Sequence, residues 1–403
     1  MKPYKWMSIC VSLALLTGLV AGCAPSATPT ALTPAPIKTE DAYPLEAASP
    51  ESPAATAAAG EVPAELYPPE EPDRVVRLTD ALGRAVELPG LPMNIVVVGK
   101  ATSLLNNALF LFPEASERVK AYEQRIQTEH DFITDVFDPT GAKASLARDA
   151  NAEQVAPLNP DLVIMKTYMR DSIGQGMEAI GIPVVYLDME TPESLYTDLR
   201  TIGAIFGNPE RAEALVSLYQ ANTQRVADAI KDVPEYAYPT TVVLQYSSKG
   251  GEISFKVPPA SYLQTTLVEM AGGIPVWKES QNFGGWAVIT LEQIAVWDPQ
   301  VIFLIDYSGN ATEVVEGLKQ DPTWQNLKAV QSNLLLPFPS DFLSWDQADA
   351  RWGMGLLWMA SKLQPGQFEG INFVDEVKAF YRDYYGLGDA VITEKVLPLV
   401  KGL

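Results

Sequence analysis

Beyond position 74, apolar residues fall into short uninterrupted runs that alternate with longer segments of helical character. Such runs are typical of the strands of a parallel sheet that helices cover on both faces. The runs are rich in Val, Ile and Leu and lie at 94–99, 161–165, 184–187, 242–245 and 301–305. Ahead of them, segments 75–78 and 86–88 flank a turn that contains Gly83, which predicts a β-hairpin.

Two helix–strand units match each other without gaps at an offset of 139 residues: 151–165 and 290–304. Each unit begins with an N-cap type of residue, Asn151 or Thr290, and carries Gln three places later, as in a capping box. An offset this long suits two similar α/β lobes rather than a solenoid. Chance similarity between short helix–strand units is the alternative.

A long helical segment separates the two units. Asn208 is an N-cap candidate, Pro209 suits the first helical position, and helix-forming residues continue to about Val233. The segment is roughly 36 Å long, enough to connect two domains with only limited hinge motion. The predicted fold class is therefore α/β, with two Rossmann-like α/β lobes joined by one long bridging helix and a ligand cleft between the lobes.

The N-terminus has the pattern of an export signal. Lys2 and Lys5 precede an apolar stretch at 7–20, which is too short to span a bilayer as a helix. The segment 20–23, Val-Ala-Gly-Cys, is similar to a bacterial lipobox, in which cleavage precedes the cysteine and the thiol is acylated, for example with palmitate. A buried helix that happens to contain Cys23 is the alternative. Residues 24–73 hold 11 Pro and 13 Ala with no periodicity, as expected for a semi-stiff tether.

These patterns divide the chain into six predicted segments. They are a lipoprotein signal peptide at 1–22, the lipidated Cys23 with a Pro/Ala-rich tether to 73, an N-terminal α/β lobe at 74–192, bridging helices at 193–236, a C-terminal α/β lobe at 237–388 and a C-terminal tail at 389–403. The tether would hold the globular part clear of the membrane on the extracytoplasmic face.

Composition removes several classes of function. The formal net charge is −21, of which −15 falls on 74–403, so nucleic acid is an unfavourable partner. Two cysteines and one histidine, His130, leave no His-pair or Cys-rich metal site. Gly174 and Gly176 match G-x-G-x-x-A, but they begin nine residues past the preceding strand, whereas a dinucleotide fingerprint needs an immediate turn.

We therefore expect no enzymatic activity and no resident cofactor or metal. The chain has no P-loop, no G-x-S-x-G and no H-E-x-x-H motif, and no glycosidase-type carboxylate pair stands out by its spacing. A surface-anchored sensor or scaffold, or an extracytoplasmic hydrolase, remains open as an alternative.

The order of several segments resembles the class III substrate-binding proteins of ABC importers. The similar segments are 79–84, 95–99, 158–164 with Asn159 where the family has Lys, 271–273, and 351–365. The resemblance implies a monomer that delivers an iron–siderophore type of chelate to a membrane permease, with cobalamin or haem as alternatives and molybdate as a weaker one. It also implies that Glu153 and Glu292 pair with arginines of the permease. A favourable interaction with the helix dipole is the simpler explanation of both carboxylates.

Cargo in two-lobed α/β proteins binds at the carboxyl ends of the strands, where aromatic side chains offer flat apolar area and a polar group. The aromatic candidates at these positions are Tyr168, Tyr246, Trp286, Tyr307 and Trp345. The basic candidates are Arg148, Lys249 and Arg351; Arg148 lies close to where ferrichrome-binding relatives place a ligand arginine. Ordinary core packing is the alternative for each aromatic residue, and a solvated or salt-bridged role is the alternative for each basic one.

Overall fold

The computed structural model describes residues 75–124, 127–249, 252–280 and 285–403. The predicted signal peptide, Cys23 and the tether lie outside these ranges. Within them, no helix is both long enough and apolar enough to cross a bilayer.

The strands of the described ranges are short and form two main sheets and one hairpin. In chain order they are β1 (Val76–Thr79), β2 (Ala85–Leu88), β3 (Ile95–Val97), β4 (Val119–Glu123), β5 (Ala144–Leu146), β6 (Leu162–Lys166), β7 (Val184–Leu187), β8 (Thr240–Lys249), β9 (Glu252–Val257), β10 (Ile274–Pro275), β11 (Ala287–Ile289), β12 (Val301–Ile305) and β13 (Leu335–Pro337).

The α-helices lie between these strands, with additional 3₁₀ and π turns. In chain order they are α1 (Thr102–Leu109), α2 (Ala115–Arg118), α3 (Ala152–Val155), α4 (Gln175–Ala179), α5 (Pro192–Phe206), α6 (Pro209–Ile230), α7 (Leu263–Met270), α8 (Leu291–Trp297), α9 (Ala311–Gln320), α10 (Lys328–Gln331), α11 (Trp352–Leu363), α12 (Phe373–Tyr385) and α13 (Asp389–Val391).

The N-terminal lobe is built on a five-stranded sheet of order β5-β4-β3-β6-β7, in which every neighbouring pair is parallel. Strands β3, β6 and β7 are buried along their whole length. Helices therefore cover both faces of the sheet, which is why these strands read as unbroken apolar runs. The predicted hairpin is also present, as β1 paired with β2 and Gly83 at φ 75° in the turn.

The C-terminal lobe is built on a mixed sheet of order β11-β9-β8-β12-β13, with β10 beside β8. Strands β8 and β12 are parallel, as the apolar runs predict, and β13, which was not predicted, pairs parallel with β12 at the edge of the sheet. Strands β9 and β11 are antiparallel and extend the sheet beyond β8. The two-lobed α/β prediction is confirmed, although the second lobe differs from the first in this antiparallel part.

The internal repeat is present in the structure. Strands β6 and β12 have the same bounds once the offset of 139 is applied, and Asn159 and Asp298 before them both have positive φ, 48° and 41°. Asn151 forms the reciprocal capping box with Gln154, whereas Thr290 accepts a hydrogen bond from the backbone of Gln293. The two lobes thus place α3 and α8 at equivalent positions.

The bridging helix is α6, and its N-terminus is where the sequence places it. The Asn208 side chain accepts a hydrogen bond from the backbone N–H of Arg211, and Pro209 occupies the first turn. At 22 residues the helix is about 33 Å long. It packs against α5 on one side and against α11 and α7 of the C-terminal lobe on the other.

The lobes also share one continuous apolar core. Phe132, from the loop after β4, contacts the rings of Phe342 in the C-terminal lobe and of Tyr381 and Tyr385 on α12, at centroid distances of 5.1, 5.6 and 4.8 Å. This shared core restrains the lobes relative to each other in addition to the bridging helix.

Candidate functional site

The candidate site lies where loops at the carboxyl ends of the strands bring the two lobes into contact. Gln127, in the loop after β4, exchanges side-chain hydrogen bonds of 2.9 Å with Gln347 in the loop after β13. Thr128 donates to the backbone carbonyl of Phe342 at 3.4 Å. The cleft expected between the lobes is therefore bounded by the loops that follow β4 and β13.

An aromatic pair lies on the C-terminal side of this cleft. Trp286 and Tyr307 are both half-buried, and their rings pack edge to face with centroids 6.3 Å apart. The Tyr307 hydroxyl donates to the Asp346 carboxylate at 3.0 Å, as does the Gln264 amide. These contacts fix the aromatic pair in one orientation.

Groups of both lobes affect the pKa of Tyr307. Burial raises the pKa of Tyr307 well above its usual value, and the neighbouring Asp346 carboxylate raises it further. The charge of Glu190, in the loop after β7, adds to the same effect.

The N-terminal side of the cleft holds a buried ammonium group. Lys166 ends β6; its side chain is fully buried, and its Nζ lies 2.6 Å from the Glu190 carboxylate, which remains 38% exposed. The same Nζ donates to the backbone carbonyl of Asp188. Lys166 therefore holds the loop after β7 in place, because a buried ammonium requires these partners.

A second buried group supports the same loop. The Asp198 carboxylate on α5 accepts hydrogen bonds from the backbone N–H groups of Asp188 and Met189, at 2.7 and 2.8 Å. Burial raises the pKa of Asp198 to about 7, against its usual value of 3.8, although the two hydrogen bonds oppose the rise. The folded protein thus binds a proton at this group in a pH range where the unfolded chain does not.

This difference predicts a pH dependence of stability. Between about pH 4 and 7 the folded state holds one more proton, so the free energy of unfolding should fall as pH rises, by at most about 1.4 kcal/mol per pH unit. Asp198→Asn keeps an oxygen acceptor and should remove this slope in urea denaturation at several pH values. The exposed Asp228→Asn is the control, and an unchanged slope in Asp198→Asn would contradict the assignment.

The remaining aromatic and basic candidates lie on or next to several different strands, and Tyr246 is inside β8 rather than after it. Tyr168 follows β6 and is 53% exposed. Tyr246, on β8, packs against its cross-strand neighbour Phe255 on β9, with the two rings tilted and their centroids 5.9 Å apart. Arg148 follows β5 and is exposed; Lys249 ends β8, and its side chain is outside the described part of the structure.

Trp345 and Arg351 lie in the protein interior, which corrects their prediction as cleft residues. Both side chains are fully buried, and Trp345 donates to the Asp341 carboxylate at 3.1 Å. Arg351 lies 2.7 Å from the carboxylates of Asp341 and Asp349. Arg351 therefore has the salt-bridged role that was the alternative to cargo binding.

The two glutamates expected to dock to a permease are on the surface. Glu153 is in the first turn of α3 and Glu292 in the first turn of α8, and both are exposed. Hydrogen bonds from Thr290 and from the helix backbone lower the pKa of Glu292. These contacts also fit the simpler explanation, a carboxylate held at a helix N-terminus.

The residues considered for enzymatic chemistry have the following surroundings in the structure. Within them, no group of three or more His, Cys, Asp or Glu side chains is arranged to hold a metal ion. His130 pairs with Asp135 at 2.9 Å. Gly174 contacts Tyr186 so closely that an added Cβ would lie 2.0 Å from the phenol oxygen, so packing accounts for this glycine.

Sequence reasoning missed Lys166, Glu190, Asp198 and Asp346. A charged residue at the end of a buried strand, as in the case of Lys166, is a usable signal, because such a group must be paired. No local pattern marks Asp346, which lies 39 residues from its partner Tyr307.

Comparison with known proteins identifies relatives along most of the chain. A family model described as periplasmic binding protein matches residues 115–341, more than half of the chain. The molybdate-binding protein MolA of Haemophilus influenzae is 22% identical over 334 residues, 78% of this chain and 89% of the relative. A vitamin B12-binding protein of Pectobacterium atrosepticum is 25% identical over 158 residues, 38% of this chain and 54% of the relative.

Solved structures share the fold. A periplasmic solute-binding protein of Veillonella parvula has a TM-score of 0.64 at 22% identity, covering 80% of this chain and 97% of its own. MolA bound to molybdate has a TM-score of 0.63 at 20% identity, with 78% and 99% covered. This chain belongs to the periplasmic binding protein family, in the class III group of two-lobed binding proteins that includes the substrate-binding proteins of ABC transporters.

Proposed function

We propose that this chain captures a metal chelate, with an iron–siderophore as the first candidate, and delivers it to the permease of an ABC importer. A lipid on Cys23 and the tether at 24–73 would hold it on the extracytoplasmic face of the membrane. The mechanism is binding, modest closure of the lobes and docking, with no chemistry on the cargo.

The observation that carries the choice of cargo is the aromatic pair of Trp286 and Tyr307. Two half-buried rings at a right angle present both an apolar face and an apolar edge, which suits the organic part of a chelate better than a small oxyanion. Glu190 of the opposite lobe, whose carboxylate is 38% exposed and held by the buried Lys166, adds a polar group that can orient a cargo.

Molybdate is the second candidate, because the similarity to MolA extends over 89% of that protein. Cobalamin is supported only by a match to about half of the vitamin B12-binding protein. Haem has no support among these relatives and stays a cargo to be tested.

Quenching of tryptophan fluorescence tests the cargo. The probes are a ferric hydroxamate such as ferrichrome, a ferric catecholate, cyanocobalamin, haem and molybdate. Trp286→Leu should weaken binding of the ferric chelate by about tenfold, which corresponds to about 1.4 kcal/mol. Trp297→Leu is the control, because Trp297 is also half-buried in this lobe but lies at the far end of α8.

The outcomes separate the candidates. Saturable binding of a ferric chelate that depends on Trp286 but not on Trp297 supports the proposal. Binding of molybdate alone would replace the chelate with the oxyanion. Binding of none of the probes would contradict a role in their transport.

Glu153 and Glu292 are the proposed contacts with the permease. Both are exposed and occupy equivalent positions of the repeat, so the two lobes present the same carboxylate on the same kind of helix. A partner with two similar basic patches, one for each lobe, fits this arrangement.

A further inference from the structure

The C-terminal segment 389–403 is packed against the protein rather than projecting from it as a tail. After α13 it continues through a π turn, Ile392–Val396, and a 3₁₀ turn, Leu397–Leu399. The side chains of Ile392 and Val396 are fully buried in the shared core. The segment therefore has a defined path along the protein, which its two lysines connect to different lobes.

Lys395 connects the segment to the N-terminal lobe. Its Nζ donates to the backbone carbonyl of Asp135 at 2.7 Å. Asp135 belongs to the π turn Ile133–Phe137, which follows the loop with Gln127 and Thr128 that contacts the C-terminal lobe.

Lys401 connects the segment to two loops of the C-terminal lobe. Its backbone exchanges hydrogen bonds of 2.9 and 3.2 Å with Ser340, which follows β13. Its Nζ donates to the backbone carbonyl of Gly309 at 3.1 Å, two residues beyond Tyr307. One residue thus joins the loop that carries Tyr307 to the loop that carries Asp346, the hydrogen-bond partner of Tyr307.

Close packing at the end of the segment supports this arrangement. Gly402 has φ 79°, and an added Cβ would lie 3.2 Å from the Phe338 carbonyl oxygen and from Pro339. Pro398 restricts the backbone between the two lysines. A restricted and closely packed connection holds the loops at its two ends in place better than a flexible one does.

We propose that Lys395 and Lys401 are positioning residues of the cargo cleft. This inference rests on the function proposed above. The C-terminal segment acts as a strap that holds the Tyr307 and Ser340 loops against the N-terminal lobe. Without these contacts the loops open more often, so bound cargo dissociates faster, while the core and its stability are little changed.

Two substitutions test the strap without disturbing the buried side chains. Lys395→Met and Lys401→Met keep an unbranched side chain but remove the hydrogen bonds that the two Nζ atoms donate to Asp135 and Gly309, while the backbone hydrogen bonds of residue 401 with Ser340 remain. Lys328→Met is the matched control, since Lys328 forms a surface ion pair with Asp298 at 2.5 Å in the same lobe. Deletion of 389–403 is less suitable, because it would remove the buried Ile392 and Val396 and expose the core surface that they cover.

Amide hydrogen exchange of the cargo-free protein is the first measurement. We expect exchange in residues 306–310 and 338–346 to be about tenfold faster in Lys401→Met, and exchange in 127–137 about tenfold faster in Lys395→Met. Lys328→Met should exchange like the wild type in all three regions. The midpoint of thermal unfolding should stay close to that of the wild type in each variant.

Cargo dissociation is the second measurement, made by stopped-flow fluorescence with the chelate that binds in the panel above. Both strap variants should release it about tenfold faster, with little change in the association rate. Exchange and dissociation equal to those of Lys328→Met would overturn the inference. If no probe binds, the proposed transport function fails, while hydrogen exchange still decides whether the strap positions the loops.

Discussion

Replacing Arg351 with Met should lower the free energy of unfolding by about 3–5 kcal/mol, as expected when one partner of a buried ionic group is removed. Met has a similar length and no charge, so the carboxylates of Asp341 and Asp349 would remain buried without their cation. Urea denaturation followed by far-UV circular dichroism measures the change.

The large expected loss in the free energy of unfolding follows from the complete burial of Arg351 and its two carboxylate partners. All three side chains of the cluster are inaccessible to solvent, and the Arg351 guanidinium also lies 4.8 Å from the Phe132 ring centroid. Asp349 accepts a further hydrogen bond from Asn107 at 2.8 Å, which joins α1 of the N-terminal lobe to this cluster. Desolvated charges of this kind are stable only when they are paired.

Arg225→Met is the control for Arg351→Met. Arg225 forms two hydrogen bonds with the Glu376 carboxylate, at 2.8 and 2.9 Å, but its side chain is 46% exposed. Removal of such a surface pair should cost no more than about 1 kcal/mol. If both variants lost the same small amount, the buried cluster would not be the stabilising feature that its geometry indicates.

Reversing both proposed docking carboxylates, Glu153→Arg with Glu292→Arg, should reduce uptake of the cargo into cells by at least about tenfold. Truncation of one partner of a charge pair that becomes buried in an interface costs about 2–5 kcal/mol, and reversal adds repulsion from the basic partner. Cargo affinity of the purified protein should be unchanged, because both residues lie on the surface of α3 and α8.

The matched control is Glu210→Arg with Glu313→Arg. These glutamates are also exposed, and they lie in the first turns of α6 and α9. The control therefore carries the same change in net charge and a comparable change at a helix N-terminus. Equal uptake by the two double variants would contradict the docking role and leave the helix-dipole explanation.

The strands that the sequence predicts well are those buried on both faces. Strands β3, β6, β7 and β12 read as unbroken apolar runs, and β12 has the predicted bounds. Strands β5 and β9 are largely exposed or half-buried, so polar residues interrupt their apolar character. The sequence pattern therefore did not predict the antiparallel pairing of β9 with β8.

The site was predicted less well than the fold, because its contacts join residues that are far apart in the chain. Position at a strand end identified Tyr307, but its contacts with Trp286 and Asp346 come from separate loops. Arg351 was predicted as a cleft residue because its charge could meet an anionic cargo, but the sequence does not distinguish an exposed arginine from a buried one. The C-terminal segment was predicted as a tail, whereas its lysines contact both lobes.

The sequence by itself determined the two α/β lobes, their internal repeat and the bridging helix. Periodicity and helix capping are local properties, so they can be read directly from the order of residues. Only the tertiary structure decided which charges are buried together and which loops of the two lobes meet. Burial and pairing depend on surfaces that approach through space, so the same Arg351, Lys166 or Lys401 acquires its role only after the chain has folded.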